Sequence, residues 1–395
     1  MEEWKQYKLI EVLDAIIDYR GKTPKKTTSG VPLITAKIIK NGRIETPAEF
    51  ISVDDYDSWM VRGFPKVGDV VLTTEAPLGE VAQLDDANIA LAQRVVTLRG
   101  KSDVLDNTYL KYYFLSNVGK QRLKARETGT TVTGIKQSEL REVLVDVPPY
   151  KVQVRIAEVL KSLDDKIEVN RRINDNLEQQ AQALFKSWFV DFEPFRDQPF
   201  VESELGMIPE GWRVGTLFDV AEIFDKQRKP LSGKEREGMK RLYPYYGATS
   251  CMDYVDNYLF DGIYTLIGED GSVAKEDGSP YMQYVWGKFW VNNHAHILQG
   301  KNGFSTEMIY VFLSITNIQH LVTGAVQAKL SQANMQKIVL AIPPKIVLNQ
   351  VRPIIDSMYE TRREREIESR RLSELRDTLL PRLMSGEIKV GDVTL

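Results

Sequence analysis

Two short basic loops are the residues most able to act on a partner molecule. Arg20-Gly21-Lys22-Thr23-Pro24-Lys25-Lys26 and Lys226-Gln227-Arg228-Lys229-Pro230 stand at corresponding places in the two halves of the chain. Clustered cations suit phosphate contacts, although a single exposed Lys or Arg serves solubility equally well. Each half then carries a glycine-bounded loop, Gly129 to Lys136 in the first and Gly324 to Lys329 in the second. The candidate contact residues are therefore Arg20, Lys22, Lys25, Lys26, Lys37, Thr130, Thr131 and Lys136 in the first half. In the second half they are Lys226, Arg228, Lys229, Tyr245, Tyr246, Gln327 and Lys329, and the Tyr pair is as well suited to core packing as to contact.

Other constellations offer less. His294 and His296, two apart on an expected strand, share a face there. Without a third ligand they suit a cross-strand pair better than a metal, with base or phosphate contact as a further use. Glu75 and Glu269 both precede a turn and a Val-Ala pair, where a carboxylate can bond its own loop or accept from a cytosine amino group. No Gly-x4-Gly-Lys-Ser/Thr run occurs, which argues against phosphate-cradling NTPase chemistry. Asp146-Val147-Pro148-Pro149-Tyr150 resembles the Asn/Asp-Pro-Pro-Tyr loop of adenine methyltransferases, but Val147 occupies the position that must hydrogen-bond the target amino group. No nucleophile, base and orienting group assemble, so the chain reads as non-catalytic and without a metal or cofactor of its own.

The elements that must position these loops are repeated. Tyr112-Tyr113-Phe114-Leu115, Ile135-Lys136-Gln137, Pro148-Pro149 and Gln153-Val154-Arg155 are matched by Tyr310-Val311-Phe312-Leu313, Leu330-Ser331-Gln332, Pro343-Pro344 and Gln350-Val351-Arg352. The offset is 195 residues at the Pro pair (148 to 343) and 197 at Gln-Val-Arg (153 to 350). Trp4 and Trp212 open the two copies. Internal duplication implies pseudo-two-fold symmetry and two similar sites.

Within each copy, strands are expected at 31–35, 68–74 and 94–99, and around 263–267 and 289–292. Helices are expected at 106–124 and from about 305 to 321, which makes each copy an α+β unit rich in β. At 395 residues, 43% hydrophobic and 27% charged, the chain suits more than one soluble domain. Its net charge of −3 leaves nucleic-acid binding to local basic faces. One cysteine, Cys251, excludes a disulfide framework and suits a reducing cytoplasm, and the N-terminus shows no signal-peptide core.

Each Pro pair starts a long helix. Between Val152 and Trp188 there is neither Pro nor Gly, and a heptad seam runs Ile156, Leu160, Leu163, Ile167, Asn170, Asn174, Leu177, Ala181, Leu184, Trp188. A weaker seam runs Ile354, Met358, Thr361, Arg365, Glu368, Leu372, Leu375, Leu379. The block Arg362 to Glu366 is either a solvated face or a partner for acids on the first helix. Phe185, Trp188, Phe189, Leu379, Leu380 and Leu383 are taken as exposed apolar residues for the helix contact and for docking a partner subunit. The expected architecture is two globular units held apart by two long antiparallel coiled-coil helices. Its segments are 1–149 (first unit), 150–193 (first helix), 194–344 (second unit), 345–386 (second helix) and 387–395 (tail).

With these features in place, the chain resembles the specificity (S) subunits of type I restriction–modification systems. The matching segments are Ala183 to Phe192, Leu205-Gly206-Met207-Ile208-Pro209-Glu210-Gly211-Trp212, and Leu375 to Ile388, together with the two Pro-Pro…Gln-Val-Arg junctions. The resemblance implies two target recognition domains, each reading half of a bipartite double-stranded DNA site, with the helices setting the gap. A heptad adds about 10.5 Å of helix, or about three base pairs. It also implies methyltransferase (M) subunits, expected as a pair, and restriction (R) subunits, which carry S-adenosylmethionine and ATP/Mg chemistry. A two-headed coiled-coil adaptor that binds proteins instead of DNA is the alternative.

Overall fold

The computed structural model describes residues 4–129, 133–324 and 327–393. The chain packs into two units, residues 1–169 with 368–395, and residues 170–367. The division cuts through both long helices, so the spacer expected as a separate segment is shared between the units.

In the first unit, Leu13–Asp18, Val95–Gly100, Val70–Thr74 and Leu78–Gln83 form an antiparallel sheet in that spatial order. A second small sheet orders Ala90–Leu91, Val31–Ile34, Phe50–Ile51 and Lys26–Thr27. Lys5–Lys8 pairs antiparallel with Leu144–Val147 and so ties the start of the unit to the strand that precedes the Pro pair. The helix expected over 106–124 is instead two, Asn107–Leu115 and Asn117–Lys124. Ser116 breaks it: its extended backbone ends one helix, while its hydroxyl accepts from Gly119 N–H to cap the next.

The second unit repeats the plan with a larger sheet. Its order is Ala221–Ile223, Ala295–Gly300, Phe260–Gly268, Met282–Val291, Tyr243–Tyr246, Cys251–Val255, antiparallel except where Tyr243–Tyr246 lies parallel to Met282–Val291. Arg213–Thr216 pairs with Val339–Ile342, as Lys5–Lys8 does with Leu144–Val147. Ser305 caps the helix Thr306–Ser314, which stops there; Gln319–Leu321 forms a separate short turn.

The long helices run Tyr150–Phe189 and Lys345–Met384. In the first unit, Ile156, Leu160 and Leu163 share a core with Leu379, Leu380, Leu383 and Met384, and Leu372 packs at its edge. In the second, Ala181, Phe185 and Phe189 join Val351, Ile355 and Tyr359 in one core. Ile167 and Leu177, nearer the middle of the first helix, are half-buried. Contacts run antiparallel in each unit: Arg376 bonds Asp164 in the first, while Asn174 donates to the Arg362 carbonyl in the second. Asn170 is buried and donates to the Arg365 carbonyl, so both seam asparagines face the second helix.

Several assignments on these helices need correction. The buried face of the second helix is Val347, Leu348, Val351, Ile355, Tyr359. Ile354 and Leu375, placed in the seam from spacing, are exposed. Arg362 is not on a solvated face but pairs with Glu178 at 3.1 Å and lies over the Tyr359 ring. Phe185, Phe189, Leu379, Leu380 and Leu383 are buried within their own units and so cannot dock another subunit. Trp188 and Leu184, half-buried, pack against the second unit's core. The apolar character that suggested an interface is used to fix each unit onto the helices.

Candidate nucleic-acid interface

In each unit the basic loop and the glycine-bounded loop are brought to the same end of the sheet. Thr128 and Gly134 exchange backbone hydrogen bonds of 2.7 and 3.0 Å, as Thr323 and Lys329 do at 2.9 and 2.7 Å. The following residue then bonds the end of a sheet strand, Ile135 N–H to the Thr74 carbonyl and Leu330 N–H to the Glu269 carbonyl, at 2.9 and 2.8 Å. This ladder makes Glu75 the counterpart of Asp270. Sequence alone had paired Glu75 with Glu269, a slip of one residue. Thr130 and Thr131 lie outside the described residues.

Arg20 and Arg228 are also counterparts, at the 208-residue offset of Trp4 and Trp212. Both face inward, which corrects their assignment as free contact residues. Arg20 holds the buried Asp18 and donates to the Ile135 carbonyl, so it ties the basic loop to the hairpin. Arg228 donates to Glu269 at 2.6 Å and to the Ala295 carbonyl at 2.8 Å, with its side chain only 13% exposed. Its Nε also donates to the Asp225 carbonyl at 3.0 Å, so most of the guanidinium is spent inside the unit.

The second unit adds charge at this junction. His296, which is buried, points Nδ1 at Asp225 (2.5 Å) and Nε2 at the Leu330 carbonyl (2.7 Å). Asp225 also accepts from Gln332 Nε2 at 2.6 Å and Ile297 N–H at 3.0 Å. Burial pushes the Asp225 carboxyl up, but the His296 hydrogen bond and the charges of His296 and Arg228 outweigh it and hold the group low. Glu269 is likewise held low against its burial by Arg228, His296 and Lys329. Asp225, Glu269 and His296 are close enough together to hold a metal ion. The cation their charge calls for is already supplied by Arg228 and Lys329. The two histidines do not share a face: His294 precedes the strand that begins at Ala295 and is exposed, with Nδ1 on Asp270 at 2.6 Å.

The remaining candidates separate by exposure. Lys22, Lys25, Lys37, Lys136, Lys226, Lys229 and Gln327 are exposed, and Lys26 and Lys329 are exposed beside Glu49 and Glu269. Lys37 lines a groove with Ala36, Ile39, Lys40, Pro77 and Glu80, next to the turn after Glu75. Tyr245 is corrected to a core residue, 2% exposed, its hydroxyl accepting from Leu231 N–H. Tyr246 is half-buried with its ring 5.8 Å from that of Phe289. Sequence reasoning passed over Arg94, which is exposed beside Glu75 at 2.9 Å. Its signal was its place two residues ahead of a strand position aligned with His296.

The family model of the type I restriction modification DNA specificity domain matches residues 1–179 and 209–369. The chain is similar to the type I restriction enzyme MjaIX specificity subunit of Methanocaldococcus jannaschii, 29% identical over 353 residues that cover 84% of this chain and 80% of that protein. It is also similar to a putative type I restriction enzyme specificity subunit of Haemophilus influenzae, 35% identical over 41% of this chain and 40% of that one. Its fold is similar to the crystal structure of a type I restriction-modification S subunit from M. genitalium, with a TM-score of 0.57 at 18% identity and 96% of each chain covered. The duplicated α+β units, the paired long helices and these matches agree: the chain belongs to the type I restriction-modification DNA specificity family.

Proposed function

We propose that this chain is the DNA-reading subunit of a type I restriction–modification complex, each unit recognising one half of a bipartite double-stranded site. The observation that carries this reading is the loop junction built twice, with the same hairpin ladder and an inward arginine at each copy. It is ringed by exposed lysines: Lys22, Lys25 and Lys136 in one unit, Lys226 and Lys229 in the other. Free amines suit phosphate contacts, which position a protein on DNA, while the loops between them address base edges. The long helices set the number of unread base pairs and recruit the methyltransferase (M) subunits, as a pair, and the restriction (R) subunits. Methyl transfer from S-adenosylmethionine and ATP/Mg-driven cleavage belong to those partners, so this chain turns nothing over. It works in the cytoplasm; among the described residues no helix is long and apolar enough to cross a membrane.

The test is selection of a random duplex library by this chain co-purified with its methyltransferase partners. Two short blocks separated by a fixed run of unspecified bases are expected, and seven residues inserted into each long helix should lengthen that run. An intact complex that enriches no sequence refutes the reading and leaves the two-headed protein-binding adaptor as the better account.

A further inference from the structure

The two units differ in most loop residues, yet one exposed construction recurs at equivalent positions. The residue just before the strand Val95–Gly100 is Arg94, and the residue just before Ala295–Gly300 is His294. Their backbone carbonyls accept from the same place in the ladder, Thr74 N–H at 3.0 Å and Glu269 N–H at 2.8 Å. Each side chain is held from behind by the next residue's carboxylate: Arg94 Nε by Glu75 at 2.9 Å, His294 Nδ1 by Asp270 at 2.6 Å. Each is about half exposed, at 48% and 46%. Among the described residues, the Arg94 terminal nitrogens and His294 Nε2 have no hydrogen-bond partner.

Resting on the DNA reading above, we propose that Arg94 and His294 are the base-reading residues of the first and second units. The backing carboxylate decides between base and phosphate. Arg94, already neutralised by Glu75, releases few counterions and adds little to phosphate affinity. The same carboxylate fixes the direction of the remaining nitrogens, and direction is what a base edge demands. The exposed lysines of the two basic loops, Lys22, Lys25, Lys226 and Lys229, have the opposite character, point charges on flexible stems. Arg94 can only donate, so it suits a base that presents acceptors, as guanine does through N7 and O6. His294, with Nδ1 directed to Asp270, offers a single nitrogen and reads one group rather than two.

The experiment repeats the library selection with Arg94→Ala, Arg94→Lys, Glu75→Gln, His294→Ala and Asp270→Asn, each in the complex with methyltransferase partners. Arg94→Ala should lower the preference at one base position of one half-site about tenfold and leave the other half unchanged. Arg94→Lys should not restore it, because one amine cannot reproduce the fork. His294→Ala should act in the other half alone. Glu75→Gln and Asp270→Asn keep the reading side chains but release them, and should blur those same positions. A wild-type motif that survives all five variants, or that weakens evenly across both halves, overturns this assignment and leaves the DNA reading standing. A wild-type complex that selects no motif overturns both.

Discussion

Asp164 joins the first unit's Asn107–Leu115 helix to both long helices, and replacing it by Asn tests how that unit is held. Its carboxylate accepts from the Tyr112 hydroxyl at 2.7 Å, meets Lys111 Nζ at 3.4 Å and Arg376 Nη1 at 2.7 Å. Burial pushes the Asp164 carboxyl up, but Lys111, Arg376 and Tyr112 together hold it below its ordinary range. Burial lowers Lys111 more than Asp164 raises it, so the ammonium is tolerated only because the acid is there. Breaking a buried pair from one side costs about 3–5 kcal/mol. The Asp164 and Arg376 side chains are 22% and 24% exposed, and partial hydration puts the expected loss at the lower end, about 3 kcal/mol. Amide exchange over residues 107–115 reports it locally, with residues 306–314 of the other unit as an internal reference. Adding Lys111→Met should return much of the loss, because the orphaned ammonium is then gone. A loss below about 1 kcal/mol, or two effects that simply add, refutes the argument.

Phe185→Ala should destabilise the second unit by about 3–5 kcal/mol, since Phe185 is fully buried and its ring stacks 4.4 Å from that of Phe189; local exchange across residues 306–314 measures it. Lys226→Ala with Lys229→Ala should flatten the salt dependence of DNA binding by up to about two phosphate contacts, read from the slope of log K against log salt. Arg228→Ala should instead destabilise the fold, seen as a lower melting temperature before DNA is added. Asp225 and Glu269 have depressed folded-state values, so their stabilisation is complete above about pH 5, clear of the unfolded values, and is lost as pH falls through the unfolded and then the lower folded values. The variant Asp225→Asn with Glu269→Gln should melt lower at pH 7 but lose less than wild type between pH 5 and 3; equal losses would contradict the linkage.

The duplication, the strand-rich units and the helix starts after Pro149 and Pro344 were legible because each is a local signal. The face of the second helix was not. A spacing of Ile354, Met358 and Thr361 is as regular as Val351, Ile355 and Tyr359, and only the tertiary partners choose between them. Charge misled in the same way. Arg228 and Lys226 look alike in sequence, but Glu269 and the Ala295 carbonyl enclose one and leave the other in water. Glu75 and Asp270 correspond because each bridges the hairpin of its own unit, Glu75 to Gly134 and Asp270 to Lys329, contacts that no short-range pattern encodes.

The second unit is a continuous stretch of chain, residues 170–367, whereas the first is assembled from 1–169 and 368–395. On the ribosome, the segment made first therefore finishes last. Leu379, Leu380 and Leu383 reach Leu160 and Leu163 only after the whole intervening unit has emerged. Until then the face of Ile156, Leu160 and Leu163 has the cover of the first unit's earlier residues but lacks that of the returning helix, a window in which misassembly with another nascent chain competes with folding. Closure is an encounter between distant parts of the chain, and its entropic cost falls when the 170–367 stretch has already collapsed. The order of synthesis thus favours the second unit folding early, with the first completed by its own returning helix.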